Sequence, residues 1–225
     1  MDALLKEWYG ILAFVLFDAL ALLLIITITY TWLFKRIFDI LTAFFALVVL
    51  SPVILVAYLY ALYLKKQGKI EKIIEKEVYV GKKEKRIILH AFAIPKIGKI
   101  LRVFDVFLGR LSLVGTMLLR PYDVAFLDDD EKERMRVRPG LIHPLVCKGN
   151  KTVDYDQALV QEVAYVNRLS FFGDCRCFFT WLIKNIRGEG NEYLGETRAL
   201  GYAETLLKDE RISQEAYEAA KETLV

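Results

Sequence analysis

The sequence predicts an α-rich α+β membrane protein. Its expected parts are one transmembrane helix, a re-entrant helix-break-helix hairpin, a small cytoplasmic domain with amphipathic interfacial helices, and a C-terminal helical hairpin. Three observations carry this expectation. Two long apolar runs, 8–34 and 37–64, fill the first third of the chain. Charged residues become frequent only from Lys65 onward. Ser51-Pro52 interrupts the second run at its middle, and the basic pairs Lys35-Arg36 and Lys65-Lys66 flank it. Composition agrees: 55% of the 225 residues are hydrophobic and mean hydropathy is +0.32, too apolar for an ordinary soluble domain. The expected divisions are 1–34, 35–66, 67–188 and 189–225.

The first run exceeds the ~20 apolar residues that a spanning helix needs. No small-residue cleavage site follows it, so it reads as an anchor and not a leader. Trp8, Tyr9, Tyr30 and Trp32 lie near its ends, where amphipathic rings favour the interface. Asp18 inside it is either a functional intramembrane carboxylate or a residue at a helix contact or shallow depth. Lys35-Arg36 follows the run and only Lys6 precedes it. By the positive-inside rule the amino terminus is outside and residue 35 is in the cytoplasm.

If 37–64 also crossed, Lys65, Lys66, Lys69 and Lys72 would fall outside, against the same rule. Turning back at Pro52 keeps both basic flanks in the cytoplasm. Proline removes a backbone donor and disfavours α geometry at the preceding residue. The Ser51 hydroxyl can take a carbonyl that the break frees, which matters where no water is present. Each half has about fourteen residues, enough to dip into one leaflet but too few to span. A Pro-kinked full crossing is the alternative, since membrane helices tolerate proline. The main domain is thus expected on the cytoplasmic face of the membrane.

Downstream, "KIEKIIEKEVYVGKKEKRIILHAFAI" alternates around Gly81 and predicts two strands joined by a turn. "PKIGKILRVFDVFLGRL" places Ile97, Ile100, Leu101, Phe104 and Leu108 at helical spacing, with Lys96, Lys99 and Arg102 on the other side. That helix suits a membrane surface or a core face with a solvated back. "DDDEKERMRVR", led by Asp128, Asp129, Asp130 and Glu131, reads as a solvated helix start, acids first and bases later. "SFFGDCRCFFTWLIKNI" is apolar but too interrupted to span. "GEGNEYLG" (188–195) marks a boundary. Beyond it two short helices are expected, with an apolar face at Leu206, Leu207, Ile212, Tyr217 and Leu224 that must pack on this chain or on a partner.

The net charge of +3 gives no argument for nucleic acid. Cys147, Cys175 and Cys177 form neither an even disulfide set nor a zinc spacing, and read as reduced cytosolic thiols. A Cys175-Arg-Cys177 metal or oxidant site is the alternative. His90 and His143, the two histidines, fit no ligand or triad spacing and suggest structural roles. No Gly-rich phosphate loop is present.

"KRIFD" (35–39) with its interrupted apolar run resembles the start of the bacterial sugar transferase family, the monotopic phosphoglycosyl transferases. The likeness continues in "VFDVFLGRLSLVG" (103–115), in "VRPG" (137–140), and at Tyr165, Val166, Ser170 and Asp174 of "EVAYVNRLSFFGDCRCFFTWL". It covers roughly 35–188. The resemblance implies a re-entrant seat and transfer of a phosphosugar from a UDP-sugar to polyprenyl phosphate, at the start of surface-glycan assembly. It places Lys35, Arg36, Asp39, Ser51 and Pro52 at the membrane and lipid phosphate, and Arg120 and Arg138 near substrate.

The family's reaction uses a carboxylate nucleophile in an Asp-Glu dyad, with Mg²⁺ neutralising phosphate charge. Counting back from Val114-Gly115, that dyad falls on Gly98-Lys99. Glycine carries no nucleophile, and lysine brings positive charge to a metal site. The family's Pro-Arg-Pro aligns with Thr116-Met117-Leu118, and its Trp-Ala-Gln with Pro144-Leu145-Val146. Two expectations follow. One is a catalytically silent relative, acting as a scaffold or partner of an active transferase, with no metal site. The other is an active enzyme with rearranged residues, Asp105 serving as nucleophile and Mg²⁺ as cofactor. Expected partners are membrane lipid, polyprenyl phosphate, and further copies or a glycan-assembly enzyme.

Overall fold

The computed structural model describes residues 2–29, 34–94, 97–148, 154–188 and 201–224. Tyr30, Trp32, Lys96 and most of the 188–195 boundary lie outside the described residues. Two long apolar helices come first, α1 (Asp2–Thr29) and α2 (Lys35–Lys66). Both are long and apolar enough to cross a membrane. The central part of α1 buries nothing, and Asp18 on it is exposed.

The second helix departs from the expected two-piece hairpin: one helix runs from Lys35 to Lys66 through Pro52. A proline at 52 cannot donate to the carbonyl of residue 48, four positions back. The Ser51 hydroxyl donates to that Val48 carbonyl instead, at 2.8 Å. The backbone can therefore continue where the sequence signalled a stop. A stripe on α2 faces the rest of the protein along nearly all its length. Lys35, Asp39 and Ala43 are buried near one end, Ala57 and Ala61 near the other. Ala46, Leu47, Leu50 and Ile54 are partly buried between them. The opposite side exposes Phe44, Phe45, Val48, Val49, Val56 and Leu59, among others.

Two small sheets follow. Strands β1 (Ile74–Val80) and β2 (Arg86–Phe92) pair antiparallel, with Ile74 opposite Phe92 and Val80 opposite Arg86. The expected hairpin is thus present, although its turn differs in detail. The left-handed backbone sits on Lys83 and Glu84, at φ 57° and 59°, and not on Gly81. After a 3-10 turn (Gly98–Leu101) comes the short helix α3 (Arg102–Phe107). The periodicity had suggested one continuous helix here. The expected polar back is also corrected: Arg102 is buried and bonds Glu77 at 2.5 Å, while Ile97, Phe104 and Leu108 are each about half exposed.

Strand β3 (Ser112–Val114), helices α4 (Pro121–Val124) and α5 (Asp129–Lys132), and strand β4 (Gly140–Ile142) come next. Strands β3 and β4 pair in parallel, Ser112 with Gly140 and Val114 with Ile142. The glycines of the Val-Gly and Pro-Gly motifs allow this crossing. A Cβ on Gly140 would lie 2.1 Å from the Gly115 nitrogen, and one on Gly115 would lie 2.4 Å from the Arg138 carbonyl oxygen. No side chain fits such gaps. The acidic run starts α5 as expected, with the Asp128 backbone N–H donating to Glu131 at 3.0 Å.

Helices α6 (Tyr155–Asn167) and α7 (Phe171–Ile186) complete the central part. Asp154 caps the first, accepting from Gln157 N at 2.8 Å. Ser170 caps the second, accepting from Gly173 N at 3.1 Å. One core packs Ala43 of α2 with Leu89, Val106, Leu111, Val114, Ile142 and Cys177. A fully buried leucine or isoleucine there contributes about 1.5–3 kcal/mol. Helix α7 keeps Phe172, Phe179, Leu182, Ile183 and Ile186 exposed.

The last helices, α8 (Tyr202–Lys208) and α9 (Gln214–Leu224), pack on this same chain. Ala203 N donates to Asp123 at 2.9 Å. Tyr202 and Leu206 join the core around Leu119 and Leu159. The Tyr217 ring meets Tyr122 edge-on at 6.0 Å. The apolar face expected on the tail therefore finds cover within the molecule at Leu206, Leu207, Ile212 and Tyr217; the Leu224 side chain lies outside what is described.

Candidate functional site

The "KRIFD" residues occupy the first turns of α2, and i to i+4 spacing sets Lys35 and Asp39 on one face. Lys35 Nζ donates to the Val114 carbonyl at 2.9 Å and lies within 3.4 Å of the Tyr165 hydroxyl. It also forms a buried ion pair with Asp174. Tyr165 donates to the other Asp174 oxygen at 2.7 Å. Asp39 accepts from Ser112 Oγ at 2.7 Å and from Leu113 N at 2.9 Å. Arg36 donates to the carbonyls of Val106 and Phe107 at 2.8 and 2.7 Å, satisfying the end of α3 where a cation is favoured. These three residues, expected at the lipid phosphate, are thus engaged with the protein interior. They fasten the start of α2 to β3, α3 and α7. Ser51 and Pro52 sit elsewhere, exposed near the middle of α2 and about 24 Å along the helix from Lys35.

The dyad positions lie in the 3-10 turn before α3. Gly98 is buried, and its N–H bonds the Ile94 carbonyl at 3.1 Å. A Cβ placed on it would stand 2.1 Å from the Phe92 carbonyl oxygen. The obstacle is backbone and not a side chain that can swing away. Lys99 beside it is exposed.

Asp105, the alternative nucleophile, is 1% exposed. One oxygen accepts from Arg110 at 2.7 Å, the other from the His90 backbone N–H at 3.0 Å. Its backbone carbonyl also accepts from Arg110 N and Leu111 N. The carboxylate closes the end of α3 against β2 and is turned away from solvent.

Arg120 and Arg138, both expected near substrate, take separate places. Arg120 precedes α4, with its guanidinium on the Tyr122 hydroxyl and 3.1 Å from Glu204 of α8. The bond to Tyr122, more than the nearby acids, holds its pKa above the ordinary value. Half-buried Arg138 lies just before β4. Burial first and Arg138 second hold the Lys82 ammonium below its ordinary value.

A second polar cluster had no counterpart among the expected site residues. Glu162 of α6 is fully buried. It meets His143, the Met117 backbone N–H and Arg134, whose Nε is 2.6 Å from Oε2. Burial alone would raise the Glu162 carboxyl; Arg134 and His143 outweigh it and hold the group below its usual range. The available signal was Glu162 itself, three residues before Tyr165 in the transferase-like stretch, where the pattern has an acid.

Residues 94–188 match the family model described as bacterial sugar transferase. This segment, less than half of the chain, is similar to that family. The match begins after α2, so "KRIFD" and the Ser51-Pro52 run lie outside it. Comparison with curated proteins finds no match. The transferase segment implies a sugar transferase role in glycan biosynthesis and interaction with a polyprenyl phosphate lipid substrate. Together with the two apolar helices it points to a membrane location.

The magnesium that such a transferase implies does not fit the residues found at the dyad. Position 98 has no side chain, position 99 is a cation, and Asp105 is held by Arg110. Among the described residues no group of three or more Asp, Glu, His or Cys side chains is placed to hold a metal ion.

Proposed function

We propose that the chain is a catalytically silent, membrane-seated member of the sugar transferase family. In this reading it serves surface-glycan assembly as a scaffold or partner of an active phosphoglycosyl transferase. One observation carries the proposal. The Phe92 carbonyl oxygen stands 2.1 Å from where a side chain on Gly98 would begin. The position that would bear the nucleophile is thus filled by backbone, and exchanging one residue there does not recover a carboxylate. The burial of Asp105 between Arg110 and His90 supports the same reading, because a nucleophile must reach its substrate.

The seat we propose is re-entrant, with α2 bending at Pro52 without breaking so that both its ends stay on the cytoplasmic side. Lys35 is tied to Asp174 at one end, and Leu64 joins Phe92, Ile70 and Ile73 at the other. A helix crossing the bilayer would carry one of those ends about 30 Å away from the domain. The exposed Phe104, Leu108, Phe172, Phe179, Ile183 and Ile186 would rest in the same leaflet.

The test of function is UMP release by the detergent-solubilised chain, given polyprenyl phosphate, Mg²⁺ and a panel of UDP-sugars. The expected result is no lipid-dependent release, beside an active family member assayed in parallel. Lipid-dependent release would overturn the proposal and return Asp105 to consideration as nucleophile.

A further inference from the structure

The structure brings together two cysteines that lie far apart in sequence. Cys147 stands near the end of the 3-10 turn Pro144–Lys148, which follows β4 directly. Cys177 is in the second turn of α7, three residues after Asp174 and so on the same face as the carboxylate that holds Lys35. Their sulfurs are 2.8 Å apart. A disulfide needs about 2.04 Å, so less than about 1 Å remains to be closed.

The two thiols differ in surroundings. Cys177 is buried in the core with Leu113, Val114, Ile142 and Val146. Cys147 is half-buried, so a small reagent can approach it. The contact with Cys177 lowers the Cys147 thiol to about 7, assisted by the Thr180 hydroxyl and by Arg176 and Lys184 on α7. The same contact, with burial and Asp174, pushes the Cys177 thiol up. Cys175, on another face of α7, is raised by burial and by Asp174. One half-buried thiol of lowered pKa backed by one buried thiol is the arrangement that thiol–disulfide exchange requires.

We propose that Cys147 and Cys177 are a redox-reactive pair whose disulfide latches the turn after β4 onto α7. The oxidant is a low-molecular-weight disulfide, RSSR. The Cys147 thiolate attacks one sulfur of RSSR, forming a mixed disulfide and releasing RS⁻. Cys177 gives its proton to that RS⁻ and then attacks the Cys147 sulfur, expelling the second RS⁻. Two protein thiols lose two electrons, and RSSR becomes RSH and RS⁻. The closed loop runs from 147 to 177 and encloses α6, which carries Glu162 and Tyr165 of the two polar clusters. Reduced, the turn is held on α7 by packing and weak sulfur hydrogen bonds; oxidised, it is tied covalently beside the ion pair that seats α2. Cytosolic reductants would keep the bond open, and a shift to oxidising conditions would close it.

The test equilibrates the full chain in detergent across glutathione buffers of rising oxidised fraction, followed by acid quench, alkylation and peptide mass mapping. The expected product is a single peptide pair joining 147 to 177, reversed by excess reduced glutathione, with Cys175 alkylated throughout. Oxidation should also raise Tm. That rise should vanish in Cys147→Ser, a half-exposed position where folding is retained, and persist in Cys175→Ser. No 147–177 linkage at any ratio, a glutathione adduct on Cys147 as the end product, or a bond to Cys175 would each overturn the proposal. These readouts are thiol state and melting, so they stand whether or not the chain turns over UDP-sugars.

Discussion

The first turn of α2 and the turn at Gly98 lie against the same small domain, and they treat polar chemistry in opposite ways. At the start of α2, Lys35, Arg36 and Asp39 all point inward, and each finds partners on another element. At Gly98 there is no side chain, and backbone closes on backbone. Buried charge is costly unless paired and hydrogen-bonded. A protein that keeps two such groups, Lys35 and Asp39, at one site with half-buried Arg36 between them keeps them because they hold the fold. A corner where backbone meets backbone carries no comparable demand. The contrast teaches that the fold specifies its two corners differently, the start of α2 by paired charges and the turn before α3 by the want of a Cβ at Gly98.

The largest effect should come from breaking the seat. Lys35→Met removes the cation paired with buried Asp174, and losing one partner of a buried pair costs about 3–5 kcal/mol. Denaturant unfolding in detergent should show that loss; a change below about 1 kcal/mol would mean that the two regions do not differ as argued.

Glu162→Gln should cost about as much, since it strands the buried Arg134. It also predicts a pH dependence with a definite sign. The folded-state pKa of Glu162 is depressed. Its stabilisation is therefore fully present above the unfolded value of about 4.3 and is lost as pH falls through the folded value. Acid unfolding of the wild type should consequently be steeper than that of the glutamine variant. Equal acid limbs would remove Glu162 from the account.

An intermediate effect is expected at the closed corner. Gly98→Asp with Lys99→Glu restores the acids of the resembled motif but drives a Cβ into the Phe92 carbonyl. Overpacking typically costs about 1–3 kcal/mol. The double variant should be less stable and release no UMP. Turnover in it would show that the corner opens easily and would erase the distinction between the two regions.

The seat was more legible in the sequence than the site. Apolar runs, basic flanks and alternating strands are local patterns, and α1, the β1–β2 hairpin and the acid-led α5 follow from them. The helix stop at Pro52 was overridden because one hydroxyl, three residues from the freed carbonyl, repaired the ladder. Arg102, which the helical period placed on a solvated face, is drawn inward by Glu77 from β1. Counting back from Val114-Gly115 led to Gly98-Lys99 from sequence alone. The Phe92 carbonyl that abuts Gly98 could not be read that way, since it depends on how β2 ends beside the turn. The Glu162–Arg134–His143 cluster and the Cys147–Cys177 contact join residues 19 to 30 positions apart through tertiary packing, which no local period encodes.

The smallest effect belongs to Ser51, and it sharpens the comparison from within the seat. Its hydroxyl supplies the Val48 carbonyl with the donor that Pro52 lacks. In water a freed carbonyl would find solvent, but within lipid it has only the protein. Side-chain hydrogen bonds in membranes average about 0.6 kcal/mol. Ser51→Ala should therefore destabilise by roughly that amount in bicelles and by less in small micelles, where water reaches the helix, while Ser51→Thr should retain the bond. A loss equal in both media would place Ser51 in water, and with it the middle of α2. The re-entrant seat would then fail even though the Lys35 clamp stood.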